Sequence, residues 1–320
     1  MDRQTFFYFL NAKDQLQQEL FSQARNIRSK IWGDKVFLRA VIEISNFCEC
    51  NCLYCGMRKD NRKLARSRLE LDTVLSTIDN IAKYNLKTLM LQSGQDSKYD
   101  SETIKKIIIY ARQKGISNII LCIGYRSVND YREFFACGAN KYIMKFETSN
   151  ANEYTWLKNG EKLVHRLDHI EMLKRIGYVI GSGNICGLPQ QSENDLYNDL
   201  MVQNKLNGGL ASVSPFISHI ESPLRETENA DINKTLNYLA LMRIVLKNAL
   251  IPAVSAFEIL REGGQLDALK AGANVITVNM TPETFRGNYP IYNTNRKIVE
   301  FNYAKEISKA ASLNVTNENN

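Results

Sequence analysis

No apolar run in the 320 residues approaches the roughly 20 that a membrane-spanning helix needs. Proline is scarce, six in all, and no proline- or serine-rich stretch divides the chain, so one catalytic domain is expected rather than two on a linker. The opening MDRQTFFYFLNAKDQLQQEL carries charges throughout and lacks the apolar stretch of a secretory signal, which points to the cytoplasm. Lys and Arg outnumber Asp and Glu by 41 to 34, a formal +7, with no dense basic stripe. That excludes a nucleic-acid footprint but suits a small anionic substrate. Seven cysteines, an odd number with four in one loop, speak against a secreted disulfide framework. Histidines number three. His165 and His169 stand four apart but lack an acidic third ligand, so they read as ordinary helix residues; His219 is left open. GSGNICG (181–187) is glycine-rich but lacks the Lys-Ser/Thr ending of a phosphate loop.

Apolar residues make up 44% of the chain, ample for a buried core. Residues 2–30 show apolar spacing of three and four and predict helix. VFLRAVIEIS (36–45) predicts a strand. Short apolar runs follow at 88–93, 118–124, 141–147, 178–184, 211–217, 251–256 and 274–280. Between them lie amphipathic stretches, several opening on Asp, Ser or Asn and closing on Gly or Asn. Strands alternating with helices predict a parallel sheet, and eight such units predict a closed (β/α)8 barrel; an open doubly wound sheet is the alternative. The expected division is a helical extension over 1–35, the barrel over 36–312 and a polar, flexible tail over 313–320. Barrel enzymes react at the carboxyl ends of their strands. The loop after the first strand, Gln92 and Ser93 after the second and Glu147 after the fourth should therefore meet at one mouth.

That first loop, NFCECNCLYCGMRKDN (46–61), holds Cys48, Cys50, Cys52 and Cys55. Without Cys50 the spacing is C-x3-C-x2-C, and three thiolates so placed can ligate three irons of a cubane cluster. A missing fourth ligand leaves one iron open to substrate or cofactor. A zinc site would use all four cysteines, but C-x-C-x-C-x2-C in one tight loop is poor for a tetrahedron. A disulfide knot is the third reading. Cys50 is expected to be a bystander pointing away. Cys122, Cys137 and Cys186 sit in apolar runs and read as small core residues.

C-x3-C-x-aromatic-C after a first barrel strand resembles the radical S-adenosylmethionine (SAM) superfamily. LRAVIEISNFCECNCLYCGMRKDN, TLMLQSGQD, KFETSN, GSGNICGLPQQS, PFISHIESPL, IPAVSA and AGANVITVNMTP occur in this order. Together they are similar to the biotin-synthase-like branch, above all to the HydE-type maturases of FeFe-hydrogenase, over about residues 30–310. The resemblance implies a 4Fe–4S cluster on Cys48, Cys52 and Cys55. The open iron would chelate SAM, and reductive cleavage would yield methionine and a 5′-deoxyadenosyl radical. It implies Tyr54 and Met57 beside the adenine and Gln92, Ser93 and Gly94 near the methionine end. It implies Glu147 and Arg166 as SAM contacts; a guanidinium fork suits a carboxylate. Arg39 and Ser255 would face the substrate cavity as catalytic-site residues. By their residues alone, Arg166 also reads as a surface side chain and Glu147 as a helix cap.

Three departures accompany the likeness. Gln95 stands where the family usually has an acid, and Lys145 and Phe146 replace an Arg-His pair; both changes are expected at the cavity. The implied function is maturation of the FeFe-hydrogenase cofactor. The substrate is expected to be small, the electron donor reduced ferredoxin or flavodoxin, and other hydrogenase maturation proteins the partners. The alternatives are a biotin-synthase-like or methylornithine-synthase-like reaction. Outside that class stand a non-catalytic iron–sulfur electron carrier and a zinc-stabilised interaction domain.

Overall fold

The computed structural model describes residues 1–292 and 296–316. One parallel sheet frames it: β1 (Lys35–Ser45), β2 (Thr88–Ser93), β3 (Asn118–Cys122), β4 (Lys141–Ile143), β5 (Val179–Cys186), β6 (Leu210–Pro215), β7 (Val275–Asn279) and β8 (Asn314–Thr316). The lateral order is β6-β5-β4-β3-β2-β1-β7, and β8 pairs with the start of β1. Helices cover the outer face, burying one continuous apolar layer between themselves and the sheet.

The edges β6 and β7 are joined through residues 250–252. Leu250 N–H donates to Gly209 O (2.9 Å), Ala211 N–H to Leu250 O (3.1 Å), and Asn274 N–H to Ile251 O (2.9 Å). This stave falls in the run 251–256 expected as a strand. It makes isolated bridges only, because Pro252 has no N–H to give and a helix begins at Ala256. The curled sheet thus closes as a (β/α)8 barrel of seven laddered strands and one short stave.

The amino-terminal helix is two helices, Arg3–Leu10 and Asp14–Trp32. Asn237, on the helix Ile232–Val245, fixes the break by donating to Leu10 O (3.1 Å) and Ala12 O (2.9 Å). The polar tail departs from the expected loose end as far as Thr316: β8 docks on β1, and Asn314 N–H donates to Asp34 O at 2.7 Å. Residues 317–320 of that tail lie outside the described residues.

Alternation along the strands sorts the side chains. Arg39, Val41 and Glu43 of β1, Ser212 and Ser214 of β6, and Thr277 and Asn279 of β7 face the barrel interior. At the amino end the interior is plugged by Phe37, Val41, Met90, Ile120, Leu210, Leu250 and Val275. Apolar floor and polar upper walls together leave a cavity open toward the carboxyl ends.

Arg243, fully buried, locks the closure. It donates to Gly272 O (3.0 Å), Lys247 O (2.9 Å), Ala249 O (2.8 Å) and Asn274 Oδ1 (2.9 Å). Burial lowers its pKa to about 9. Arg243→Leu removes one donor from four acceptors beside the weakest stave. It should cost about 3 kcal/mol or more in denaturant unfolding, whereas the exposed Arg225→Leu should stay within about 0.5 kcal/mol. Equal effects would show that the clamp is not what closes the barrel.

Candidate active site

After β1 the chain runs through the cysteine loop without helix or strand, so its backbone groups need other partners. Arg66 supplies most of them. Its Nη1 donates to Asn46 O (2.6 Å) and Met57 O (2.9 Å), and its Nη2 to Arg58 O (2.7 Å) and Asn61 O (3.3 Å). Asn61 Nδ2 donates to Gly56 O at 2.7 Å. The loop is then fastened outward: Glu49 N–H to Gln95 O (2.8 Å) and Leu53 N–H to Leu157 O (2.8 Å). Buried Asp96 accepts from Ser45 Oγ (2.6 Å) and Arg68 Nε (2.7 Å), tying the ends of β1 and β2. Two glycines let the loop approach. A Cβ on Gly94 would collide with Phe47 O and lie 2.8 Å from Cys48 Cβ, and one on Gly56 would collide with His219 and Pro290 O. Gly94 therefore seats the cysteine loop rather than lining the cavity. His219 is a buried packing residue whose Nδ1 accepts Glu221 N–H at 3.0 Å.

So held, Cys48, Cys52 and Cys55 face one cavity of about 260 Å³. Cys50 faces it too and does not point away. The Cys50 thiol lies beside both Cys48 and Cys52 and hydrogen-bonds them. That hydrogen bond pulls Cys48 down to about 7 and Cys52 to about 5; burial opposes both shifts, and the Lys158 ammonium helps at Cys52. At Cys55 burial dominates and pushes the thiol up to about 12.

Tyr54, Met57, Gln92, Ser93, Glu147 and Arg166 line the same cavity. Glu147 sits in the left-handed region at φ +65°, a conformation most residues avoid. It is pinned on both sides: its N–H donates to Gly183 O (3.0 Å) and its carbonyl accepts Ile185 N–H (2.8 Å). Just beyond, Ser149 N–H donates to Asp199 Oδ1 (2.6 Å), while Asn184 Nδ2 donates to Asp199 Oδ2 (3.1 Å). Burial raises Asp199 to about 7. The next helix, Ala151–Leu157, is capped by Asn150, so Glu147 is free of that duty. Arg166 is not a surface side chain; it is buried, with Nε donating to Tyr154 Oη (3.0 Å), Nη2 3.4 Å from Glu161 and the guanidinium 4.3 Å from the Tyr125 ring centre.

Below this chamber lies a second, of about 160 Å³, which shares Gln92, Cys122, Lys145 and Ser214 with it. Arg39 and Ser255 line it as expected. Arg39 is buried and donates to Thr277 Oγ1 at 2.8 Å; Lys145 Nζ donates to Ser214 Oγ at 3.1 Å. Glu43, the acid lining this chamber, is already paired with Arg296. Arg39 and Lys145 thus face the chamber without a carboxylate in ion-pair contact among the described residues, and buried charge calls for a counter-charge. The KFET departure divides: Lys145 faces the cavity, but Phe146 packs outside the barrel with Tyr154 and Leu163. Gln95 does reach the cavity, and its Oε1 accepts Tyr125 N–H at 3.3 Å. Cys122, expected in the core, lines both chambers.

Among the described residues no three His, Cys, Asp or Glu side chains surround one point as a single ion requires. Three thiols along one wall, facing open space, instead fit a cluster held at three corners. Arg66, Lys158 and Asp199 carry no sequence signal, since each acts on a partner set only by the fold. Arg66→Met leaves four carbonyls without their donor, at about 1 kcal/mol or more apiece. It should keep its helix content, become cleavable between residues 46 and 68, and lose most of the iron taken up on anaerobic reconstitution. Arg66→Lys, without the fork, should recover only part. Iron uptake equal to the native chain would contradict this role.

The model of the radical SAM superfamily matches residues 42–201. Over 275 residues the chain is 35% identical to the FeFe hydrogenase maturase subunit HydE of Thermotoga maritima, covering 86% of this chain and 79% of that protein. It is 25% identical to the 3-methylornithine synthase of Methanosarcina acetivorans, covering 84% and 76%. The crystal structure of methylornithine synthase shares the fold at a TM-score of 0.88 with 19% identity, covering 99% of this chain and 94% of that one. Thiol spacing, a polar-walled barrel mouth and these likenesses set aside the zinc-domain and electron-carrier readings: the chain belongs to the radical SAM superfamily and is a radical SAM enzyme.

Proposed function

We propose that this barrel cleaves SAM against a small anionic substrate, in a HydE-type step of FeFe-hydrogenase maturation. The observation that carries the reading is a pair of adjoining chambers that share Gln92, Cys122, Lys145 and Ser214 in their walls. Cys48, Cys52, Cys55, Glu147 and Arg166 face the outer chamber, and Arg39 and Lys145 the inner one. When bound at the three thiolates, a 4Fe–4S cluster supplies the electron that breaks the S–C5′ bond of SAM, giving methionine and a 5′-deoxyadenosyl radical. The residues do the rest. Arg166, fixed by Tyr154 and Glu161, offers a guanidinium to the SAM carboxylate, and the left-handed turn at Glu147 aims a carboxylate at the ammonium. Tyr54 and Met57 border the adenine, and Gln92 and Ser93 the methionine end. Arg39 and Lys145 hold the substrate's negative groups, Ser255 offers a hydroxyl, and the apolar floor keeps water out. The electron donor is a reduced ferredoxin or flavodoxin, and the partners are other hydrogenase maturation proteins.

The 25% identity to a 3-methylornithine synthase, together with lysine at 145 where the HydE-type pattern often has arginine, supports a second reading in which the same chemistry builds 3-methylornithine. The experiment is complementation. In a host deleted for its HydE but keeping the other maturases, the chain should restore FeFe-hydrogenase activity. Lys145→Met should lower it tenfold or more, as expected for about 1.4 kcal/mol or more of lost charge pairing, and Lys145→Arg should retain it. Accumulation of 3-methylornithine without hydrogenase activity would favour the second reading instead.

A further inference from the structure

Lys158 has no role in the scheme above, yet its ammonium faces the outer chamber. The helix Ala151–Leu157 ends beside the cysteine loop, and Leu157 O accepts Leu53 N–H at 2.8 Å. The next residue is Lys158, its backbone N–H still bonded to Tyr154 O. Its Nζ lies 3.3 Å from Cys52 Sγ and 5.9 Å from the centre of the Tyr54 ring. Among the described residues no carboxylate lies within ion-pair distance of it; the nearby Glu161 sits against Arg166 instead. A partly desolvated cation is thus aimed at one sulfur.

We infer that Lys158 donates a charge-assisted hydrogen bond to the Cys52 thiolate and thereby raises the reduction potential of the cluster bound there. This rests on the assignment of Cys52 as a cluster ligand. The physics is direct. Reduction adds one electron and no proton to the cluster, so the reduced form carries more negative charge on its sulfurs. A fixed ammonium at hydrogen-bond distance stabilises that form more than the oxidised one, and hydrogen bonds to ligand sulfurs and local charge are recognised determinants of cluster potential. Lys158 is a positioning and tuning residue, since it acts through Cys52. Arg166 is engaged by Tyr154 and Glu161, makes no hydrogen bond to that sulfur, and supplies the fork for a carboxylate.

The test compares the native chain, Lys158→Met and Lys158→Arg after anaerobic reconstitution. Iron and sulfide are counted, and the midpoint potential is titrated with dithionite by electron paramagnetic resonance without SAM. Lys158→Met should hold a full cluster that is at least tenfold harder to reduce, a fall of about 59 mV for a one-electron couple. Lys158→Arg should restore most of the potential. An unchanged midpoint in Lys158→Met overturns the proposal, and if SAM then binds more weakly the ammonium serves SAM instead. If Lys158→Met holds no cluster, Lys158→Arg decides: a native-like potential supports the role, and a potential lowered as far as expected for the neutral variant overturns it. Absence of any cluster in the native chain removes the ligand assignment and the proposal together.

Discussion

Four backbone carbonyls from Asn46, Met57, Arg58 and Asn61 converge on one guanidinium, that of Arg66. The thiol loop that follows β1 is neither helix nor strand. Its carbonyls must then find donors elsewhere, or stay in water and mobile. One planar fork with several N–H groups satisfies them at a single point. Everything else at the mouth follows from that fastening. Gly94 can be nothing larger because the loop lies on it, and Asp96 is buried because it ties the strand ends beneath. The helix Ala151–Leu157 abuts the loop through Leu157 O, which is what brings Lys158 to Cys52.

The second constraint is charge. A parallel barrel plugged at its amino end by aliphatic and aromatic side chains gives its upper interior a dry floor. Within it, Glu43 neutralises Arg296, while Arg39 and Lys145 hold only hydroxyl partners, Thr277 and Ser214. Such a chamber favours a ligand that brings its own negative charge. Farther out, Arg166 is already half-satisfied by Tyr154 and Glu161, which fixes its plane before any ligand arrives and lowers the entropy lost on binding.

Much of this was legible in the chain. The apolar runs at 36–45, 88–93 and 274–280 became β1, β2 and β7 almost residue for residue, because strands buried on both faces read as continuous apolar stretches. The C-x3-C-x2-C spacing pointed to the loop, and strand ends pointed to Gln92, Ser93 and Glu147. What stayed hidden depended on distant contacts. The run 251–256 looks like a strand but carries Pro252 and ladders with nothing. Cys50 looks redundant until the folded loop sets its thiol beside Cys48 and Cys52. Phe146 sits between two inward-facing residues, and simple alternation would have placed it outside the barrel. Nothing local marks Arg66 among its basic neighbours, nor Lys158 at the end of its helix.

The central assertion is chemical: the thiol-lined chamber reductively cleaves SAM. The most direct measurement is anaerobic reconstitution followed by dithionite, SAM and chromatographic assay of 5′-deoxyadenosine and methionine, for the native chain and for Cys52→Ala. Both products should form with the native chain and vanish with the variant. Full iron and sulfide content with SAM left intact, both alone and with extract supplying small anionic substrates, would contradict the assignment, as would cleavage that persists in Cys52→Ala.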